Sequence, residues 1–195
     1  MSSNLYWSIY KNLELEVENL MFSIHFDDTQ IDVYSPKAID IILRCGSEIE
    51  SISKDLYQQY DLTFSGSRQS IKYDYDAIEY FINTWKFDKR GIKIVSNGCH
   101  FSNKKLTPFR KGNDNKFDWN KAYQALKHDR ISSIQEASIN NTLKIMSALY
   151  LLNLYYLFND DRRLNNYKPN DETGETYEMY RSFGSSLFSL QHYWH

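Results

Sequence analysis

Ile145-Met146-Ser147-Ala148-Leu149-Tyr150-Leu151-Leu152-Asn153-Leu154-Tyr155-Tyr156-Leu157-Phe158 is the run whose reading decides the fold. Leu143, Met146, Ala148, Leu149, Leu152 and Tyr156 fall on one helical face, and apolar residues continue around the others. A helix that is hydrophobic all round is buried on every side. The spacing therefore predicts a central helix from about Ile134 to Asn159. The apolar stretch is too short to cross a bilayer and Asn153 interrupts it, so it reads as the core of a bundle, with no membrane partner.

Upstream segments supply partners for that helix. Residues 4–22 carry Leu5, Ile9, Leu13, Val17, Leu20 and Met21 at spacings of three and four, with Glu14, Glu16 and Glu18 on other faces. An Asp-rich connection, His25 to Val33, follows. Ser35-Pro36 has the form of an N-cap with proline at the first helical position. The next helix should reach about Gln59, burying Ile39, Ile42, Leu43, Gly46, Ile49, Ile52 and Leu56. Arg44 with Glu48, and Glu50 with Lys54, are helix-spaced ion pairs, and Gly46 and its small neighbours would let another helix approach closely. Arg44 and Glu48 read either as a solvated face or as groups that orient a site on a neighbouring helix.

Residues 61–73 read as an exposed loop and Asp74 to Trp85 as a short helix. Alternation in Gly91 to Gly98 and in Lys105 to Phe109, around Asn97-Gly98, predicts a small β-hairpin insertion over about 91–109, with Pro108 at an edge. A polar loop over 111–117 leads to Asp118, a candidate N-cap. Residues 159–195 alternate polar runs (Asp160 to Arg163, Asn165-Asn166, Lys168 to Thr173) with aromatics. They read as a C-terminal segment wrapping the bundle, with a short strand or helix near Tyr177 to Phe188. The chain is thus expected to be a single, mainly α domain over 1–195: a bundle of four to five main helices over about 4–158.

Composition narrows the function classes. The formal net charge of −2 supplies no global field to gather nucleic acid, so any such contact must rest on a local patch. Cys45 and Cys99 stand far apart without a partner motif, which favours reduced thiols. The start, Met1-Ser2-Ser3-Asn4, has neither the basic stretch nor the apolar core of a secretory signal, so a cytoplasmic location is expected. There is no glycine-rich phosphate loop, no Cys-x-x-Cys and no His-Glu-x-x-His, so neither a cofactor nor a metal is expected. His25 and His100 read as isolated.

Capable side chains crowd together in Trp119-Asn120-Lys121-Ala122-Tyr123-Gln124-Ala125-Leu126-Lys127-His128-Asp129-Arg130, an amphipathic helix ending in a Lys-His-Asp-Arg tetrad. One reading is structural: basic residues favour the negative end of the helix and Asp129 starts the turn. The other is metal-independent RNA cleavage. A histidine titrates near neutral pH, so His128 could take a 2′-hydroxyl proton or protonate a leaving oxygen. Lys127 and Arg130 could hold the scissile phosphate and, as cations, depress the imidazole pKa. Lys121, two turns back on the same face, Tyr123, and Arg44 and Glu48 of the second helix complete the candidate substrate-binding set. One histidine is half of an acid–base pair, so a second group or a second copy is required.

The order of these features resembles HEPN-like helical bundles. The likeness rests on Tyr34-Ser35-Pro36 to Lys54-Asp55-Leu56-Tyr57, Leu106-Thr107-Pro108-Phe109, Trp119-Asn120-x-Ala122-Tyr123-x-x-x-Lys127-His128-x-Arg130 and the long Ala/Leu helix, over roughly residues 5–158. The resemblance implies an endoribonuclease of RNA metabolism, phage defence or toxin–antitoxin systems, with RNA and an antitoxin or other protein as partners, acting as a homodimer. It equally implies a non-catalytic interaction or RNA-binding module, since many members have lost catalysis. The family's arginine precedes its histidine by four to six residues; here Arg130 follows His128, so only His128 carries over directly.

Overall fold

The computed structural model describes residues 5–158, 177–181 and 183–194. Its helices are α1 (Leu5–Met21), α2 (Pro36–Tyr60), α3 (Ile78–Trp85), α4 (Asp118–His128) and α5 (Ile139–Phe158). Short strands are β1 (Phe26–Asp27), β2 (Ile92–Ile94), β3 (Cys99–His100), β4 (Lys105–Leu106), β5 (Tyr177–Arg181) and β6 (Phe188–Trp194). The fold is mainly α, a helical bundle with a small sheet. No helix among the described residues is long and apolar enough to cross a membrane.

Helix α5 is the centre. It packs most extensively on α2, and α1, α4 and β6 cover its other sides. That enclosure explains its all-round hydrophobicity: Ile145 through Tyr155 are buried without a break. Each large apolar side chain so buried contributes roughly 1.5–3 kcal/mol relative to exposure. The helix starts later than its periodicity predicts. Ile134–Glu136 form a 3-10 turn, and Ser138 then accepts the Asn141 N–H at 3.2 Å, the bond an N-cap makes.

Helix α2 begins where predicted. Ser35 accepts the Ala38 N–H at 3.1 Å and Pro36 occupies the first turn. Its buried stripe is rotated from the expected one: Ile41 and Cys45 are fully enclosed, while Ile39 and Leu43 are only half-buried. Helices α5, α1 and α4 all pack on this helix, so its apolar face is wider than a single stripe. The segment before α3 is a π-helical turn, Tyr73–Ala77, which continues directly into it.

The expected insertion is present, since β2 and β4 pair antiparallel with β4 at the edge, but a tight Asn-Gly turn does not join them. Neither Asn97 nor Gly98 takes a positive φ, which a tight Asn-Gly hairpin turn requires at both positions. Residues after that turn leave the sheet: β3 pairs in parallel with β1, Phe26 opposite Cys99. The ladder partner of β2 is β4, with Ile92 opposite Leu106, and β4 is an edge strand ending before Pro108. On its other side β2 pairs antiparallel with β6, so the sheet order is β4-β2-β6-β5. The C-terminal segment therefore supplies half of the sheet, and β5 lies where a short strand or helix was expected. The polar runs over 160–173 lie outside the described residues.

What docks that segment is Glu14, expected on an outer face but only 1% exposed. Its carboxylate accepts the Tyr10 hydroxyl at 3.0 Å, the Ser186 N–H at 3.0 Å and the Leu187 N–H at 3.2 Å, and it also takes the Ser185 hydroxyl. Lys11 pairs with the same carboxylate and donates to the Gly184 carbonyl at 2.9 Å. Phe183 and Gly184 both adopt positive φ, which curls the chain onto this carboxylate. Burial alone would raise the Glu14 carboxyl, but the Lys11, Ser185 and Leu187 bonds outweigh it and hold it below the ordinary value. Glu14→Ala is expected to cost about 3 kcal/mol in urea unfolding, because it strands the buried donors. A carboxyl depressed on folding stabilises fully above its unfolded value, about 4.3, and that contribution fades as pH falls through the folded value. Unfolding curves of wild type and Glu14→Ala should accordingly converge in acid.

Candidate functional site

Helix α4 is fixed at both ends before any chemistry is considered. At its start, Trp119 is buried and its indole N–H donates to the Pro108 carbonyl at 2.9 Å. The ring belongs to an aromatic column that includes Phe117, Phe109, Phe87, Trp85 and Tyr155, with neighbouring ring centroids 4.7 to 6.0 Å apart. Midway, Tyr123 lies flat against Gly46 of α2. A Cβ at position 46 would sit 2.2 Å from the tyrosine ring, so the close approach of α2 and α4 depends on that glycine.

The tetrad follows at the other end. Lys127 donates to Glu50 of α2 at 2.8 Å and lies 5.0 Å from the centre of the Tyr123 ring. The Tyr123 hydroxyl donates to the same Glu50 oxygen at 2.8 Å. Glu50 raises the Lys127 pKa through that hydrogen bond, so the ammonium is firmly charged. Asp129 ends the helix: its N–H reaches the Ala125 carbonyl and its carboxylate accepts the Ile131 and Ser132 N–H groups. The Ser132 hydroxyl first, and then those N–H bonds, hold its carboxyl below the ordinary value. His128 and Arg130 are exposed on either side of this turn, both open to solvent.

The other predicted site residues do not converge there. Arg44 is bound to Glu16 of α1, with Asp40 at 3.7 Å, and the Glu16 hydrogen bond raises its pKa. Glu48 is half-buried, and burial raises its carboxyl. Glu50, expected to pair with Lys54, is the acidic group that meets the tetrad. The signal was present, since Glu50 lies one turn beyond Gly46 on the same face of α2. Lys121 shares a face with His128, but its ammonium is held by Asp114 at 3.1 Å and Asp118 at 3.0 Å. Asp118 is the first residue of α4 and not its cap; Phe117 takes the cap position without a side-chain bond. His25 and His100, isolated along the chain, stack with ring centroids 5.0 Å apart beside the β1–β3 pair.

Chemically, the C-terminal end of α4 offers one exposed imidazole and one exposed guanidinium above a tethered ammonium. Such a set can contact a phosphodiester and move one proton. The carboxylates beside that imidazole, Asp129 and Glu50, are already engaged, the first by the turn's N–H groups and the second by Lys127 and Tyr123. No protein-family model, curated protein or solved structure matches this chain.

Gly46→Ala tests how α4 is positioned. The added methyl must displace the Tyr123 ring, so a loss of about 1–3 kcal/mol is expected despite alanine's better helix propensity. Thermal unfolding measures that loss, and a change in tyrosine near-UV circular dichroism reports the shift of the ring.

Proposed function

We propose that this protein is a HEPN-like, metal-independent endoribonuclease whose RNA-contacting surface is the C-terminal end of α4, with a second copy completing the site. The observation that carries the reading is the exposure of His128 and Arg130 on either side of the Asp129 turn. In this scheme His128 takes the 2′-hydroxyl proton, and Arg130 neutralises charge developing on the scissile phosphate. Lys127, held by Glu50, adds a fixed positive charge behind them. The leaving 5′-oxygen then receives its proton from His128 of the second copy.

A specific observation favours a second reading, in which the same surface binds RNA or a protein partner without cleaving. Within one copy, Lys127 is committed to Glu50 and Tyr123, and the Asp129 carboxylate is taken up by the turn, which leaves a single imidazole for proton transfer. The two readings separate on total RNA incubated with wild-type and His128→Ala protein, each with and without EDTA. Under the first, wild-type cleavage persists in chelator and falls at least about 100-fold in the variant. The variant's melting temperature stays close to wild type, because an exposed side chain is being removed. Light scattering of the active sample should give a dimer mass. Wild-type protein that leaves RNA intact while retaining it in a mobility-shift assay would decide for the second reading.

A further inference from the structure

A cavity of about 310 Å³ opens at the opposite end of α4 from His128, where four basic side chains meet: Lys105, Arg110, Lys111 and Lys144. Helix α4 spans 11 residues, so the two ends lie about 15 Å apart. The cations come from three separate parts of the chain: β4, the loop that follows it, and α5. Their convergence is a product of the tertiary fold, not of a local basic run. One carboxylate, Asp118, shares the cavity lining. It is bound to Lys144 at 2.9 Å and to Lys121 at 3.0 Å. Lys111 is paired with Glu79.

Two of these cations are already matched, Lys111 by Glu79 and Lys144 by Asp118, so the positive charge that the cavity can offer an anion centres on Arg110. Arg110 is exposed at the rim, and no ion pair to its guanidinium occurs among the described residues. A guanidinium presents a planar fork of donors matched to a phosphate edge, and lysine ammoniums serve as point charges around it. Leu106 and Pro108 form an apolar wall on one side, and the volume exceeds that of a single phosphate ion.

We propose that this cavity binds the terminal phosphate of a phosphomonoester, with Arg110 as the principal anchor and Lys105, Lys111 and Lys144 as the surrounding charge. Leu106 and Pro108 then face the organic part of the ligand. Asp118 is the counter-charge in the empty cavity: it holds Lys144 in place and competes with the incoming phosphate for that ammonium. The inference is independent of the reading of His128.

The test is a titration of the full chain with inorganic phosphate, followed by amide chemical shifts against sodium chloride of equal ionic strength. Saturable shifts are expected at residues 105–112, 118, 119 and 144. Arg110→Ala should weaken binding about tenfold or more, the loss of one charge-assisted contact. Asp118→Asn should tighten it several-fold, and His128→Ala should leave it unchanged, which keeps this result separable from that of the nuclease assay. An absence of shifts at these amides, or equal affinity in wild type, Arg110→Ala and Asp118→Asn, overturns the proposal. Repeating the titration with 5′-phosphorylated and 5′-hydroxyl oligoribonucleotides separates the sources. A clear preference for the phosphorylated strand over inorganic phosphate identifies an RNA end, and no such preference identifies a small phosphomonoester.

Discussion

Covering α5 on every side is the constraint to which the rest of the molecule answers. A helix that is apolar all round has no face to offer water, so each flank needs a neighbour. Helix α2 takes the broadest flank, α1 and α4 two others, and β6 closes the remainder. Tyr150 marks the closure: its ring meets Tyr10 of α1 at 5.7 Å and Phe188 of β6 at 5.8 Å. The C-terminal strands are therefore part of the core's enclosure. Their sheet is assembled from residues nearly a hundred positions apart, Ile92 opposite Leu190.

That closure requires a polar device. Chain reversals near a core leave backbone N–H groups that need acceptors, and leaving them unmet is expensive. Glu14 meets the need for Ser186 and Leu187 by placing an ionised carboxylate at the turn, with Lys11 as its counter-ion. A buried charge is tolerable here because it is paired and its oxygens are saturated with donors. The same logic governs the aromatic column below α4. Trp119 is enclosed, and its one polar atom finds the Pro108 carbonyl. Polar satisfaction thus fixes where the C-terminal turn and the start of α4 sit, while apolar burial supplies the driving force.

The position of α4 gives the protein two chemically distinct ends. Gly46 brings α2 so close that Tyr123 and Lys127 both reach Glu50, and this tether steadies the last turn of the helix. Beyond it, His128 and Arg130 project on either side of a turn whose backbone is pinned by Asp129. At the other end, Asp118 ties α4 to α5 through Lys144 within a ring of basic residues. A single helix thus carries an exposed imidazole and guanidinium near one end and a cavity lined by basic residues at the other.

Sequence alone determined the helices and the bundle. A 3.6-residue period, the Ser35-Pro36 cap and the unbroken apolar run of α5 are local signals, and local physics decides them. The tetrad was legible for the same reason, since four adjacent residues need no fold to be adjacent. Tertiary structure alone decided which groups meet across the chain: Glu50 with Lys127, Glu14 with Ser185, His25 with His100, and Lys144 with Lys105 and Arg110. It also decided that Arg44 serves Glu16 on α1 and that β6 joins the local β2–β4 pair to extend the sheet. Such pairings depend on how helices rotate about their axes and which strand edge is left open. Both are set by packing the whole core at once, and no window of neighbouring residues carries that information.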